Sequence, residues 1–177
     1  EYVYYSRPDS VLDGKNVHAV REDCGTLLAY NESVDADIVI GVPDTAMSAA
    51  AAFARMLKKP YEIGLIKNRY IGSTYIRPSS QQREQGIRTR LNAISSIVRE
   101  KKVYLVDDFL VKGFTAKRLC QLLKEAGAKE VHLRIASPKI KFPCVYGYED
   151  ADQERLAAYK YTDEEMCQLF GADSIRF

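Results

Sequence analysis

Two adjacent carboxylates, Asp107 and Asp108, end the apolar run Val103-Tyr104-Leu105-Val106 and lead into Phe109-Leu110-Val111-Lys112-Gly113-Phe114-Thr115-Ala116. Such a run reads as a buried strand. Acids at its carboxyl end, followed by a glycine-containing turn into a helix, are how open α/β sheets present polar groups to a sugar phosphate. Two further polar clusters follow apolar runs, Pro43-Asp44-Thr45 and Lys67-Asn68-Arg69-Tyr70. Carboxylate oxygens without histidine or cysteine beside them suit Mg²⁺, which shares its shell with substrate phosphates and waters. Basic residues of the Lys67 cluster are placed to neutralise those phosphates. Neither G-x-G-x-x-G nor G-x-x-x-x-G-K-[ST] occurs, so dinucleotide and P-loop chemistry lose their main support.

The elements that must position these clusters are legible as changes of period. Val17, Val20, Cys24, Leu27 and Leu28 recur at helical spacing after an Asp13-Gly14 turn, with Asn16 as a cap. Ala36 to Val42 is a continuous apolar strand, and the alanine-rich run Ala49 to Leu57 favours a helix that Lys58-Lys59-Pro60 stops. Tyr61 to Ile66 reads as a strand leading into a polar, basic segment from Lys67 to Arg90 without sustained period. The strand Val103 to Val106 precedes a helix with Leu119, Leu122, Leu123 and Ala126 on one face and Gly127 as C-cap, and Val131 to Ala136 is the next strand. Strands alternating with helices imply an α/β fold with a mostly parallel sheet, right-handed crossovers and ligands at the strands' carboxyl ends.

Composition bounds the partners. The chain has 177 residues, 46% hydrophobic and 28% charged, the profile of one soluble domain able to bury a core. Its net charge of +2, from 26 basic and 24 acidic residues, offers no field for nucleic acid or an anionic membrane. No stretch is apolar enough to span a bilayer. Cys24, Cys120, Cys144 and Cys167 are far apart and form no C-x-x-C, which fits the reducing cytoplasm. His18 and His132 read as structural or exposed groups. The chain opens without methionine on the strand-like Glu1-Tyr2-Val3-Tyr4-Tyr5, as expected of a piece of a longer polypeptide.

Three segments carry a resemblance to the amidophosphoribosyltransferases. Glu1 to Gly14 is similar to that family's linker into its phosphoribosyltransferase domain, Gly64-Leu65-Ile66-Lys67-Asn68-Arg69-Tyr70-Ile71-Gly72 resembles its flexible catalytic loop, and Phe142-Pro143-Cys144-Val145-Tyr146-Gly147 resembles its hood. The resemblance implies the type I phosphoribosyltransferase fold over residues 1–177, with a small hood built from the chain's two ends and the N-terminal glutaminase half missing. It implies Mg²⁺-dependent transfer of the phosphoribosyl group of phosphoribosylpyrophosphate (PRPP) to ammonia, drawn from glutamine in the full enzyme, with release of pyrophosphate, the first step of de novo purine synthesis. By similarity Asp107 and Asp108 hold the ribose hydroxyls and the Mg²⁺ shell, and Val42, Pro43, Asp44 and Thr45 form the pyrophosphate loop, Thr45 offering an oxygen to the metal. Val111, Lys112, Gly113, Phe114, Thr115 and Ala116 surround the 5′-phosphate, while Lys67, Arg69, Tyr70 and Arg90 close over the leaving pyrophosphate. Purine nucleotides are the implied inhibitors and a homo-oligomer the implied assembly. Cys144 aligns with a ligand of an iron–sulfur cluster in some members, but the other ligands lie beyond this chain, so no cluster is expected.

The phosphate loop departs from that family's pattern. Where the family reads V-D-D-S-I-V-R-G-T-T-S, this chain reads Val106 to Ala116 as V-D-D-F-L-V-K-G-F-T-A. Hydroxyls are lost at Phe109, Phe114 and Ala116, and each hydroxyl bonded to a phosphate is worth roughly 1.5–3 kcal/mol. Ser73 also replaces a usual arginine, and Arg90 a usual lysine. These departures keep two alternatives open, a catalytically impaired module that binds PRPP or a nucleotide as a regulator, and a purine-base phosphoribosyltransferase, which the Asp107-Asp108-Phe109-Leu110 string resembles.

Overall fold

A computed structural model describes residues 1–30, 32–68, 91–144 and 152–177. A short antiparallel ribbon, β1 (Val11–Leu12) and β2 (Lys15–Asn16), turns through Asp13 and Gly14, both at positive φ, and leads directly into α1 (Val17–Ala29). As expected, the Asn16 side chain caps α1 by accepting from the Ala19 N–H. Then follow β3 (Ile38–Gly41), α2 (Met47–Leu57), β4 (Leu65–Lys67), β5 (Leu91–Ala93), the short α3 (Ser95–Val98) and β6 (Lys102–Asp107). After β6 come α4 (Phe114–Glu125), β7 (Glu130–Ile135), a 3₁₀ turn, the short α5 (Ala157–Lys160), α6 (Asp163–Phe170) and β8 (Ser174–Arg176).

The main sheet runs β3-β6-β7-β8 and every pairing in it is parallel. β3 and β6 are buried on both faces, which explains their apolar runs, whereas β7 carries His132 and Arg134 between its apolar residues. Ile38, Ile40, Val103, Leu105, Val131, Leu133 and Ile135 pack with Leu119 and Leu123 of α4 and Met166 and Phe170 of α6. On the other face Val39, Tyr104 and Val106 meet Leu28 of α1 and Ala49, Ala50 and Phe53 of α2. The alternating side chains of adjacent strands thus build a three-layer α/β/α domain.

Four local readings are corrected. Tyr61–Ile66 is not one strand: Tyr61 makes a single parallel bridge to Val39, whereas β4 leaves the sheet and pairs antiparallel with β5. The first five residues are turns rather than strand. In α1 the buried stripe is Val17, Arg21, Gly25, Leu28 and Ala29, while Leu27 is exposed. Gly127 lies one residue beyond the C-cap of α4, which is Ala126. The chain's last residues supply β8 at the sheet edge, and Val145, Tyr146 and Gly147 of the expected hood segment lie outside the described residues.

Gly25 sets the separation of α1 and α2, because a Cβ there would come within 2.0 Å of the Ala49 carbonyl oxygen. His132 on β7 is buried, with Nδ1 2.9 Å from Ser174 Oγ and Nε2 3.0 Å from Glu130 Oε2. Burial holds its pKa below the ordinary value, more than Glu130 raises it.

Both features have measurable consequences. Gly25→Ala gains about 1 kcal/mol of helix propensity, but the overlap is with backbone that no rotamer relieves, so overpacking at a cost of roughly 1–3 kcal/mol or more wins. Urea unfolding should show a lower midpoint for the variant, and an unchanged or higher one would refute the close approach. The unfolded chain accepts a proton on His132 that the folded protein resists, so stability is full above about pH 6.5 and declines as the pH falls through that value. The melting temperature of the parent should therefore fall between about pH 7 and about pH 5.5, and His132→Asn should flatten that slope.

Candidate active site

The site is assembled where β3 and β6 end side by side. Gly41 is in register with Val106, and the Val42 N–H still donates to the Val106 carbonyl at 2.9 Å. The chains therefore leave the sheet at the same level, and Thr45 Oγ1 donates to Asp108 Oδ2. The loop between them contains a cis Pro43–Asp44 peptide bond. Val42 is buried in the core, which leaves its backbone to face the site, whereas Asp44 is exposed and its Oδ2 lies 2.6 Å from Lys67 Nζ. Lys67 thus reaches the first loop from β4, outside the main sheet.

Both acids are 7% exposed. The Asp108 N–H donates to Asp107 Oδ1 at 3.0 Å, and the Phe109 N–H donates to Asp108 Oδ1 at 2.7 Å. Burial pushes the Asp107 carboxyl well above the usual carboxylate range, and the Asp108 charge beside it pushes the same way. Two crowded carboxylates with a threonine hydroxyl are a hard, all-oxygen donor set that a Mg²⁺ ion would relieve electrostatically. Among the described residues no group of three or more His, Cys, Asp or Glu could hold a metal alone. These donors therefore fit an ion that completes its shell with substrate oxygens and water.

Beyond the acids, Gly113 adopts φ +80° and starts α4 without a side-chain cap. The Lys117 N–H is bonded to the Gly113 carbonyl, and the N–H groups of Phe114, Thr115 and Ala116 precede the first intrahelical bond, so they are available to an anion at the positive end of the helix. Glycine is required there, since a Cβ would also come within 2.3 Å of the Phe170 ring. The Phe114 side chain is 67% exposed at the mouth of this turn, and Thr115 is exposed, while Ala116 is buried in the core, leaving only its backbone for a ligand. Val111 and Lys112 are half-buried, and the Val111 carbonyl accepts from the Ala157 N–H at 2.7 Å. Arg69, Tyr70 and Arg90 lie outside the described residues.

One wall of the site has no counterpart in the sequence reading. The N-terminal turns lie over the acid loop, with the Tyr4 ring edge-on to Phe109 at 5.1 Å. Beneath them a cavity of about 20 Å³ is lined by Tyr2, Val3, Arg21, Thr45, Asp108 and Ala136, among others. Arg21 is 4% exposed, and its sequence signal is an arginine four residues after Val17 and four before Gly25, on the buried stripe of α1.

Known proteins share this geometry. Residues 16–150 match the family model of the phosphoribosyl transferase domain. The whole chain is 49% identical to part of the amidophosphoribosyltransferase of Bacillus subtilis (strain 168) and 46% identical to part of that of Staphylococcus aureus (strain MRSA252), spanning 37% and 36% of their lengths. The glutamine PRPP amidotransferase from B. subtilis complexed with ADP and GMP superposes with a TM-score of 0.86 at 49% identity, over 98% of this chain and 38% of that one. A second solved structure, of the allosteric regulatory enzyme of purine biosynthesis, gives 0.85 at 48% identity over 98% of this chain and 38% of that one. The chain thus spans little more than a third of the relatives it matches. With the family model matching residues 16–150, well over half of its length, the chain belongs to the phosphoribosyl transferase domain family.

Proposed function

We propose that residues 1–177 form the synthase half of an amidophosphoribosyltransferase, displacing pyrophosphate from PRPP with ammonia to give phosphoribosylamine. The observation that carries this reading is the Thr45–Asp108 hydrogen bond across the ends of β3 and β6, which brings the loop after β3 against the acid pair after β6. In this reading the Asp107 and Asp108 carboxylates accept the ribose hydroxyls, and their charge favours the oxocarbenium-like transition state. The N–H groups of Phe114, Thr115 and Ala116 take the 5′-phosphate. Lys67 and the Pro43–Thr45 loop take the pyrophosphate, with Lys67 exchanging Asp44 for a phosphate oxygen. Arg69, Tyr70 and Arg90 belong to the same leaving-group side by resemblance. Mg²⁺, when bound through Asp107, Asp108 and Thr45, supplies charge neutralisation to the diphosphate.

Ammonia rather than a nucleobase is taken as acceptor from the likeness to the amidophosphoribosyltransferases, to which the chain is 49% and 46% identical. In the full protein the ammonia would come from glutamine, and purine nucleotides would act as inhibitors. A cytoplasmic location fits four free thiols; among the described residues no helix is long and apolar enough to cross a membrane.

The test is pyrophosphate release from PRPP with Mg²⁺ and ammonia at alkaline pH, alongside calorimetric PRPP binding. Release should depend on ammonia and fall by about 10²-fold or more in Asp107→Asn and Asp108→Asn. Binding without release would replace the transferase by a PRPP or nucleotide sensor, the reading that the exposed Phe114 favours. Turnover with a purine base instead of ammonia would move the chain to base salvage.

A further inference from the structure

Arg21 is the one cation on the buried stripe of α1, and its contacts lead away from its own helix. Nε donates to the Tyr2 carbonyl at 2.8 Å and Nη2 to the Ser6 carbonyl at 2.8 Å. The two acceptors bracket Tyr4, whose ring packs edge-on against Phe109. The Phe109 N–H in turn holds Asp108 Oδ1, and Asp108 Oδ2 accepts from Thr45. Arg21 also lines the cavity that Thr45 and Asp108 share, close enough for the Asp108 charge to favour its guanidinium against the cost of burial.

Residues 8–10 of the N-terminal segment are tied to the start of α1, where the Val17 and His18 N–H groups donate to the Ser10 and Pro8 carbonyls. Nearer the chain's start, the Ser6 N–H donates to the Glu1 carbonyl and the Tyr2 hydroxyl to the Leu12 carbonyl at 2.6 Å, while the Tyr2 and Ser6 carbonyls are the two that Arg21 holds. A guanidinium presents several donors in a rigid fork and can grip two carbonyls at once, which a lysine ammonium on a flexible stem does less well.

We propose that Arg21 is a positioning residue for the transfer reaction: by gripping the Tyr2 and Ser6 carbonyls it presses Tyr4 onto Phe109 and so sets the Asp107–Asp108 loop and the cavity wall opposite it. The proposal rests on the transferase reading for its kinetic consequence, but its structural consequence stands alone. A local anchor would fix residues 2–6 only. A positioning residue fixes Asp108 and Phe109 as well.

Arg21→Met and Arg21→Lys of the 177-residue chain separate the two by hydrogen–deuterium exchange and kinetics. In Arg21→Met, exchange at Ser6, Asp108 and Phe109 should quicken about tenfold or more, while the amides of β6 and β7 stay protected. Ammonia-dependent kcat should fall by about 10- to 100-fold with KM for PRPP little changed, because misplacement acts on the reacting geometry. Arg21→Lys should restore part of both. Loosening confined to residues 2–6, with exchange at Asp108 and Phe109 unchanged, overturns the proposal. If Arg21→Met does not fold, Tyr4→Ala carries the test, since it leaves the Arg21 contacts in place: faster exchange at Phe109 supports the coupling and unchanged exchange there overturns it. A parent chain without turnover defeats the transferase reading and leaves the exchange result to decide this one.

Discussion

Keeping two neighbouring carboxylates nearly out of water at the end of a buried strand is the constraint around which this molecule is organised. Burial and the neighbouring Asp108 charge both work against ionisation of Asp107, and among the described residues the fold answers with hydrogen bonds to the carboxylate oxygens. Backbone N–H groups and the Thr45 hydroxyl supply them. Such an arrangement lowers the cost of the charge without cancelling it. It leaves a negative focus for a cation and for hydroxyl donors of a ligand.

That focus exists only because of how the sheet is layered. β6 is flanked by β3 and β7 and covered on both faces, so its carboxyl end comes out between the ends of those two parallel strands. The buried pair Arg134–Glu32, in contact through two bonds of 2.6 and 3.0 Å, ties β7 to the segment after α1. Removing one partner of such a pair costs about 3–5 kcal/mol. The site thus hangs from the ends of buried strands, while Thr45 and Asp108 lie on the loops that follow them.

The altered phosphate loop takes on a different meaning in three dimensions. Phe109 has exchanged a hydroxyl for an aromatic contact with Tyr4. Ala116 faces the core, where a hydroxyl would need a buried partner. Phe114 alone stands in the open mouth of the anion turn. The three departures look alike in the sequence and do three different things, because Phe109 sits on the loop under the N-terminal turns while Phe114 and Ala116, two residues apart on the helix, face outward and inward.

Much of the architecture is legible in the order of residues alone. Apolar runs mark β3 and β6, Val131, Leu133 and Ile135 mark β7 at alternate positions, Asn16 announces the start of α1, and the paired acids mark the site. These signals are local, set by hydrogen-bond capping, side-chain period and desolvation within a few residues. What the sequence does not carry is proximity between distant segments. The Lys67 cluster is expected near the Asp44 loop and does meet it, but nothing around Tyr61–Lys67 says that β4 leaves the sheet for Leu91–Ala93 or that β8 extends the sheet. Arg21 reads as a stray charge in an apolar stripe until the N-terminal turns lie above it. By itself the sequence determined the elements and the chemistry at their ends. Only the tertiary structure decided which ends meet, because each meeting depends on packing and charge shared by segments that the chain keeps apart.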